Sequence, residues 1–319
     1  MKEQTDRIKK KALDLGFSKV GIARASSLAK EGDHLREWLD RGYHGTMSWM
    51  ARDTPKRADP RAVVPGARSV ISLAFNYYTP HQHTRASGVG KISRYAWGDD
   101  YHEILHKKLR TFWHWLEKEF PGIEGRYYVD TGPLMEKAWA QQGGIGWIGK
   151  HTNVIAQELG SWVFLSEVIS TLELEYDTPA TDHCGSCVLC IEACPTGAIN
   201  QPYVLDATLC ISYLTIEHKG EFADPLGDQL DRWIFGCDIC QDVCPWNQKF
   251  SSASEEQGFA PRPWNVAPRL EKWAEMTEVE FEEKFKGSPL KRTKHSGLQR
   301  NIKAALDGER RVERRKETR

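Results

Sequence analysis

The cysteines of this 319-residue chain are confined to one short window, and they constrain its fold more than any other feature. All eight lie between Cys184 and Cys244. A first run, Cys-x-x-Cys-x-x-Cys-x-x-x-Cys-Pro, extends from Cys184 to Pro195. A second run, Cys-x-x-Cys-x-x-x-Cys-Pro, extends from Cys237 to Pro245, and Cys210 lies alone between them. Thiols concentrated in this way indicate a metal or redox centre.

The repeated spacing is typical of paired iron–sulfur clusters. Thiolates two residues apart on a tight turn bind adjacent corners of one 4Fe–4S cube, and a cysteine three residues further on points toward a second cube. The two runs therefore predict two 4Fe–4S clusters with crossed ligation. The first cluster is assigned to Cys184, Cys187, Cys190 and Cys244, and the second to Cys210, Cys237, Cys240 and Cys194.

Two other uses of cysteine fit the pattern less well. Structural zinc also binds Cys-x-x-Cys pairs, but it takes four ligands as two separated pairs and has no use for the longer first run. A disulfide framework would usually place cysteines throughout the fold rather than in one window. Gly197, just after Pro195, also suits the tight turn of a ferredoxin-type site.

The composition is that of an ordinary soluble globular protein. Hydrophobic residues make up 40% of the chain and charged residues 28%, which is usual for such proteins. At 36.4 kDa the chain is long enough for two domains, each with its own core. Its first eleven residues are polar and charged, without a signal-peptide apolar region or a twin-arginine leader. No run approaches the roughly 18 apolar residues that span a bilayer. We therefore expect a cytoplasmic protein that does not associate with a membrane. The reducing cytoplasm also suits oxygen-sensitive clusters.

Charge is unevenly distributed although the formal net charge is zero. The segment Lys284–Arg319 has 13 Lys/Arg against 4 Asp/Glu, so the remainder of the chain is acidic. A basic tail on an acidic body is a weak indication of nucleic-acid binding. The alternative is a solvated helical end such as Glu309–Arg319.

Helix and strand signals divide the chain into three regions and predict an α+β fold. Residues 1–175 mix amphipathic helices with apolar strands, which predicts a layered α/β domain. Residues 176–250 form a loop-rich cluster domain that metal ligation can hold together. Residues 251–319 are mainly helical. The predicted helices are Asp6–Leu15, Tyr101–Phe120, one starting within Asp130–Pro133, Leu270–Phe285 and Gly297–Leu306, and the predicted strands are Val20–Ala23, Ser69–Phe75, Arg126–Val129 and Trp162–Thr171.

Several short segments occur in an order that is specific to one family. They are Lys56–Arg61, Tyr95–His102, Val129–Pro133, Gly144–Lys150, Gly160–Leu165, Cys210–Thr215 and the double cluster motif. Together they cover residues 50–250. The chain resembles epoxyqueuosine reductases, cobalamin-dependent iron–sulfur enzymes that complete queuosine at the wobble position of tRNA.

The resemblance has implications for the architecture. It implies an N-terminal cobalamin-binding domain, a ferredoxin-like domain with two 4Fe–4S clusters, and a helical C-terminal region with HEAT-like repeats. Only the start of that region is recognisable, in Ser288–Asn301, so we expect a short, truncated HEAT-like region. A truncated repeat has few neighbours against which to bury its apolar face. The basic tail is therefore expected to compensate in docking tRNA.

The resemblance also implies a reaction and a proton donor. Two electrons, delivered singly through the clusters to a strongly reducing cobalt, remove the epoxide oxygen, and that oxygen needs a proton. By motif position Asp130 is the expected donor, a carboxylic acid whose pKa is raised by burial in a dry pocket. The sequence alone favours Asp130 as a helix N-cap before Pro133.

Cobalamin contacts are carried over by motif position. They are Arg57, Ser93, Asp130, Val154, Leu165, Ser212 and Asp238. Other roles are open: Arg57 suits a surface ion pair, Val154 and Leu165 suit a strand core, and Ser93 stands where relatives can carry cysteine. The segment Asp100–Leu105 nearly matches the cobalamin motif Asp-x-His-x-x-Gly but lacks the glycine. The family binds its cofactor without a protein histidine on cobalt, so His102 is expected to be a polar residue at a helix start.

The expected partners are a tRNA that carries epoxyqueuosine in its anticodon loop and a small electron-donor protein or reductant, and we expect a monomer. A reductive dehalogenase also joins a corrinoid to two clusters, but such proteins usually carry a twin-arginine signal. A ferredoxin module attached to a binding domain would leave residues 1–175 unexplained. Cobalamin binding separates this last class from the reductase.

Overall fold

The computed structural model describes residues 1–223 and 226–317, with side chains described to residue 311. The strands are β1 (Lys19–Arg24), β2 (Ser69–Asn76), β3 (Lys91–Ile92), β4 (Gly125–Tyr128), β5 (Trp147–Ile148), β6 (Val154–Ile155), β7 (Val163–Ser170) and β8 (Trp233–Phe235). The α-helices are α1 (Lys2–Asp14), α2 (Ala29–Asp40), α3 (Thr54–Ala58), α4 (Tyr101–Glu119), α5 (Glu136–Gln142), α6 (Leu189–Glu192), α7 (Ile211–Ile216), α8 (Ile239–Asp242), α9 (Pro245–Phe250), α10 (Pro263–Val266), α11 (Leu270–Ala274), α12 (Glu278–Lys284) and α13 (Lys294–Glu317).

A four-stranded antiparallel sheet in the order β1-β2-β7-β4 organises the first region. Every residue of β2 is buried, because the strand is central and both of its faces are covered. Ile71 and Leu73 pack in one core with residues of α1 and α4, whereas Val70 packs on the opposite face with Trp139 of α5. This alternation follows from the two-residue period of a strand. The predicted layered α/β domain is therefore confirmed.

Helix α4 follows the predicted pattern closely. The Asp100 carboxylate accepts a hydrogen bond from the backbone N–H of His102, which caps the helix. Leu105, Leu109 and Phe112 lie on the buried face at a spacing of three or four residues. His102 lies at the helix start, as expected. The predicted strands of the sheet domain also overlap the observed ones, with bounds that differ by a residue or so.

Several predicted helix boundaries are wrong. Helix α1 begins at Lys2 rather than Asp6, and α13 extends from Lys294 to Glu317 rather than from Gly297 to Leu306. No helix starts within Asp130–Pro133: α5 begins only at Glu136, and Asp130 has φ +57°, a left-handed conformation that differs from the extended backbone of an N-cap. The predicted helix Leu270–Phe285 is divided into α11 and α12. Thr277 starts α12 through a capping box with Glu280, and such a cap begins a new helix.

The C-terminal helices share a hydrophobic core with both other regions. Trp97 from the first region and Phe235 of β8 pack with Leu270, Phe281 and Leu298 of the C-terminal region. Strand β3 also runs parallel to β8. The short helical C-terminal region is therefore confirmed, although it shares its hydrophobic core with the other two regions. The predicted division at residues 175 and 250 stays a prediction.

Helix α13 is the long C-terminal helix and includes most of the predicted basic tail. The last two residues of that tail, 318–319, lie outside the described residues. Arg300 anchors the helix, because its guanidinium donates hydrogen bonds to the carbonyl oxygens of Leu214, His218 and Gly220. Across the described part of the chain, no helix is both long and apolar enough to cross a membrane.

Candidate active site and electron-transfer centre

A cavity of about 360 Å³ lies between the sheet domain and the cysteine-bearing loops. The sheet domain contributes residues of β6 and β7 and Lys137 of α5, and the cysteine region contributes residues of α7 and α8. Most of the lining is apolar, with polar atoms from a few side chains. A cavity of this size and chemistry is typical of a cofactor or substrate site.

Four of the predicted cluster ligands border this cavity, namely Cys194, Cys210, Cys237 and Cys240. They are the four assigned to the second cluster, and Cys194 comes from the first run whereas Cys237 and Cys240 come from the second. Among the side chains that the structure describes, in residues 1–223 and 226–311, no three of Cys, His, Asp or Glu converge on a point for a single ion. Four thiolates are the ligand set that a 4Fe–4S cube takes.

The other four cysteines lie together in a second group, apart from the cavity. Burial and the nearby thiolates of Cys244, Cys184 and Cys187 raise the pKa of Cys190 to about 11. All eight cysteines are free thiols. Lys150 Nζ supports this loop by donating to the carbonyl oxygens of Gly185, at 2.6 Å, and Cys187, at 3.0 Å. This grouping has the composition predicted for the first cluster.

Asp130 lies in the loop between β4 and α5 and is held by residues of α4. The Tyr101 hydroxyl donates to Asp130 Oδ2 at 2.9 Å, and His102 Nε2 lies 3.4 Å from the same oxygen. The other ring nitrogen of His102 lies 2.8 Å from Asp100 Oδ1. Tyr101 stacks on Phe164 with ring centroids 4.2 Å apart, which fixes the position of its hydroxyl. Beyond the start of α4, no local pattern in the sequence predicted this group of side chains.

The protonation of Asp130 differs from the expectation. Partial burial opposes ionisation, but hydrogen bonds from His102 and Tyr101 outweigh it and hold the pKa of Asp130 below its usual value. Burial likewise disfavours the charged form of His102, yet Asp100 and Asp130 raise its pKa to about 9. The expectation of a raised pKa at Asp130 is therefore wrong. At neutral pH the proton of this pair resides on His102, because two carboxylates flank the ring.

The fully buried carboxyl group of Glu167 interacts electrostatically with the partly buried one of Glu136. Glu167 of β7 is fully buried on the sheet face that α5 covers, and α5 carries Glu136. Burial and the charge of Asp130 raise the pKa of Glu136 to about 8, and burial next to Glu136 raises the pKa of Glu167 well above its usual value. Neither residue was singled out by the sequence, because a glutamate in a strand or at a helix start has many ordinary roles.

The predicted cobalamin contacts fall into two groups. Ser93, Val154, Leu165 and Ser212 line the cavity. Asp238, Arg57 and Asp130 are not among its lining residues.

The residues outside the lining have identifiable partners. Asp238 is fully buried behind Ser93, whose hydroxyl donates to Asp238 Oδ1. Asp238 Oδ2 accepts from the backbone N–H of Arg94. Arg57 donates to the carbonyl oxygens of Arg52 and Trp49. Asp238 therefore contacts the cavity lining through Ser93.

Two further residues of the cavity were not predicted from the sequence. Lys137 lines it and donates from Nζ to Asn153 Oδ1 at 3.1 Å. His151 also lines it, and burial lowers its pKa to about 4, so the ring is neutral. His151 Nδ1 accepts from the backbone N–H of Asn153, and the buried Nε2 has no partner among the described residues. The glycine-rich segment Gly144–Lys150 directly precedes His151, and it was the sequence signal that could have pointed to a ligand contact there.

This lining fits a large corrin ring. Apolar walls from Val154 and Leu165 suit the faces of a macrocycle, and the unpaired Nε2–H of His151 suits one of its amide side chains.

The sequence matches two family models. Residues 57–131 match epoxyqueuosine reductase QueG, DUF1730. Residues 183–247 match the 4Fe-4S double cluster binding domain, a range that includes all eight cysteines. The first match includes Ser93 of the cavity lining and Asp130, and the second includes the four thiols that border the cavity.

Curated relatives align with nearly the whole chain. A protein of Atelocyanobacterium thalassa is 47% identical over 305 residues, which is 95% of this chain and 99% of the relative. One of Synechocystis sp. is 47% identical over 290 residues, or 90% of this chain and 100% of the relative. Both are named epoxyqueuosine reductase.

Solved structures agree in fold. A crystal structure of an epoxyqueuosine reductase superposes with a TM-score of 0.90 and 32% identity, covering 96% of this chain and 82% of the other. A second, with a tRNA-Tyr epoxyqueuosine-modified stem loop, also has a TM-score of 0.90 at 32% identity and covers 96% and 81%. Because relatives this similar align with nearly its whole length, the chain belongs to the epoxyqueuosine reductase family.

Proposed function

We propose that this protein reduces epoxyqueuosine to queuosine at the wobble position of tRNA. The reaction removes the epoxide oxygen as water, consumes two electrons and two protons, and leaves a cyclopentene. The observation that carries the proposal is a single cavity bordered both by the four thiols assigned to the second cluster and by four predicted corrin contacts. A relative of the same fold was solved with an epoxyqueuosine-modified stem loop, which supports tRNA as the substrate.

The cofactors of this family are cobalamin and two 4Fe–4S clusters. When bound, cobalamin supplies a strongly reducing cobalt centre, and the clusters supply it with single electrons. Ser93, Val154, Leu165 and Ser212 would border the corrin, and His151 Nε2 would donate to one of its amides. Asp238 would fix the Ser93 hydroxyl from behind.

Asp130 and His102 are proposed to deliver a proton to the departing oxygen. His102 holds the proton at Nε2, 3.4 Å from Asp130 Oδ2. Tyr101 fixes that oxygen by donating to it. As the epoxide oxygen gains negative charge, Asp130 can accept the proton from His102 and pass it to that oxygen. A stored proton beside the site is what general acid catalysis requires near neutral pH.

The proposal includes a small electron-donor protein or reductant, a monomeric state and a cytoplasmic location. The predicted first-cluster ligands lie apart from the cavity, and Leu189, which directly precedes Cys190, is exposed. This arrangement supports entry of electrons from outside through the first cluster. The second cluster then lies between that entry point and the cavity.

The direct test is turnover of epoxyqueuosine-containing tRNA by the reconstituted protein with free cobalamin and a strong reductant. We expect queuosine to form, to depend on cobalamin, and to require both clusters. The appearance of a bound-corrin absorption spectrum measures cofactor binding separately from turnover. A protein that binds no cobalamin would be an electron-transfer module rather than a reductase.

The basic tail is expected to contribute to tRNA affinity. Deleting Gly308–Arg319 should weaken binding and flatten its salt dependence, but it would also remove Glu309, whose carboxylate accepts from the backbone N–H of Gly88. Replacing Arg314, Arg315 and Lys316 by glutamine is a cleaner change. Removing one cation that neutralises a phosphate should lower the salt slope by about 1.

Filter binding of tRNA over a range of salt concentrations measures the contribution of the tail to affinity and to its salt dependence. Lys10→Gln provides a matched control, because Lys10 is a highly exposed cation on α1. If the triple variant has the affinity and salt slope of the wild type, the tail is only a solvated helical end.

A further inference from the structure

Trp147 carries a buried polar atom that takes no part in the cavity. The residue lies in β5 and is 2% exposed, and it is not among the residues that line the cavity. Its indole Nε1 is buried and has no hydrogen-bond partner among the described residues. Burying an N–H without an acceptor costs free energy, so such a group indicates that an acceptor binds next to it.

The neighbours of Trp147 indicate which kind of acceptor this is. Its ring packs with Ile155 and with the side chains of Cys184 and Cys244, two of the ligands predicted for the first cluster. Trp246 packs there too, but an indole nitrogen can only donate. The acceptors available in this group are therefore sulfur atoms. No hydrogen bond joins the N–H to either thiol, so the acceptor that fits this site is a sulfur of a bound 4Fe–4S cube.

Two aromatic rings hold the indole of Trp147 in place. The rings of Trp246 and His183 meet it edge to face, with centroids 4.8 Å and 5.0 Å away. His183 Nε2 lies 3.2 Å from the hydroxyl oxygen of Thr181, and no hydrogen bond joins His183 to the indole N–H. The indole is therefore fixed by packing, and no described side chain accepts from its N–H.

The hairpin of β5 and β6 directs Trp147 toward the first-cluster cysteines. Trp147 pairs with Ile155 across the hairpin, and both pack with Cys244. Val154, the neighbour of Ile155 in β6, lines the cavity instead. Side chains alternate between the two faces of a strand, so one face of the hairpin borders the cavity and the other packs on the first-cluster cysteines. The orientation of Trp147 thus follows from the strand register.

Lys150 adds a buried positive charge beside the same cysteines. It follows β5 in the chain and is 8% exposed. Its ammonium group donates to the carbonyl oxygens of Gly185 and Cys187, so the charge is held against the first cysteine run. A buried cation stabilises the more negative form of a group next to it. For a 4Fe–4S cluster the more negative form is the reduced one.

We propose that Trp147 and Lys150 raise the reduction potential of the first cluster, Trp147 by donating its indole N–H to a cluster sulfur and Lys150 by its charge. Reduction adds one electron and breaks no bond, so the change to be stabilised is one further negative charge. Hydrogen bonds to sulfur and local charge both set the potential of such clusters. The two residues thus let the first cluster take electrons from a weaker donor. This inference rests on the proposed function, in which electrons enter through that cluster.

Redox titration of the reconstituted protein, followed by electron paramagnetic resonance, tests the proposal without tRNA. Trp147→Phe keeps an aromatic ring but loses the N–H, so the potential of the first cluster should fall. The loss of a hydrogen bond to a charged acceptor should shift the equilibrium between oxidised and reduced cluster about tenfold, or about 59 mV for one electron. The cavity cluster should keep its potential, because Trp147 does not line the cavity. Cys194→Ser, which lacks a predicted ligand of the cavity cluster, assigns the two signals.

Trp246→Phe is the matched control. It removes an indole N–H from the same aromatic group, but that nitrogen is not among the buried unpaired atoms of the described residues. The potential should therefore stay at the wild-type value. Lys150→Gln removes the charge and keeps a donor for the loop carbonyls, so it should lower the potential of the first cluster as well. It is the second variant should Trp147→Phe fail to hold the cluster.

Pulsed electron paramagnetic resonance detects the hydrogen bond without a substitution at Trp147. In protein whose tryptophan is labelled with nitrogen-15, the reduced first cluster should show coupling to an indole nitrogen. The coupling should persist in Trp246→Phe, which assigns it to Trp147 among the tryptophans that pack with these cysteines.

The results separate tuning from packing. A lower potential in Trp147→Phe, together with a coupled indole nitrogen that persists in Trp246→Phe, supports the proposal. An unchanged potential in Trp147→Phe, an equal fall in Trp246→Phe, or the absence of a coupled indole nitrogen overturns it and leaves Trp147 a packing residue. A wild type with the coupled nitrogen that forms no queuosine supports the tuning and refutes the proposed function.

Discussion

Asp130→Ala should lose about 10²- to 10⁴-fold in turnover while it retains cobalamin and both clusters. The carboxylate of Asp130 is the group that Tyr101 and His102 hold in place, and its removal leaves the proton on His102 without a carrier. Cofactor binding should persist, because Asp130 is not among the residues that line the cavity. The measurements are queuosine formation, the corrin spectrum and the iron content.

Asp130→Asn is the matched control for size and shape. The amide can still accept from Tyr101, but it cannot carry a proton, so its turnover should be as low as that of Asp130→Ala. In the wild type the shared proton is present below the pKa of His102, about 9, and is lost as the pH rises through that value. Turnover by Asp130→Ala at the wild-type rate would refute the role of Asp130 as proton carrier.

Replacing the last cysteine of each run by serine should show whether that cysteine binds the cluster of the other run, as crossed ligation requires, or the cluster of its own run. Cys194→Ser should remove the cluster that borders the cavity, and Cys244→Ser should remove the other one. Each variant should retain about half of the iron, because one of two equal clusters is lost. Cys194 lines the cavity whereas Cys244 does not, which is the geometric reason for the difference.

The two variants should differ in activity as well. With a small, strong reductant that reaches the cavity cluster directly, Cys244→Ser should keep a residual rate and Cys194→Ser should have none. Electron paramagnetic resonance and iron analysis identify the cluster that remains, and Val163→Ala serves as a control at a cavity residue that is not a ligand. If Cys244→Ser instead abolished the cavity cluster, ligation would follow the two runs separately.

Regular elements of the sheet domain could be predicted because their signals are local. The spacing of Leu105, Leu109 and Phe112 is a property of consecutive residues, and so is the capping of α4 by Asp100. The loop after β4 was predicted wrongly because Pro133 resembles a helix start. Its left-handed turn at Asp130 depends on contacts with α4 and α5, which the local sequence does not encode.

The spacing of the eight cysteines alone determined that this protein is built to hold two iron–sulfur clusters, and the ordered motifs indicated its family. Spacing is sufficient for cysteines because their ligation geometry is set within a few residues. Only the tertiary structure decided where protons reside. The pKa values of His102, Asp130 and Glu136 depend on burial and on neighbouring charges from separate elements, and folding alone brings those charges together.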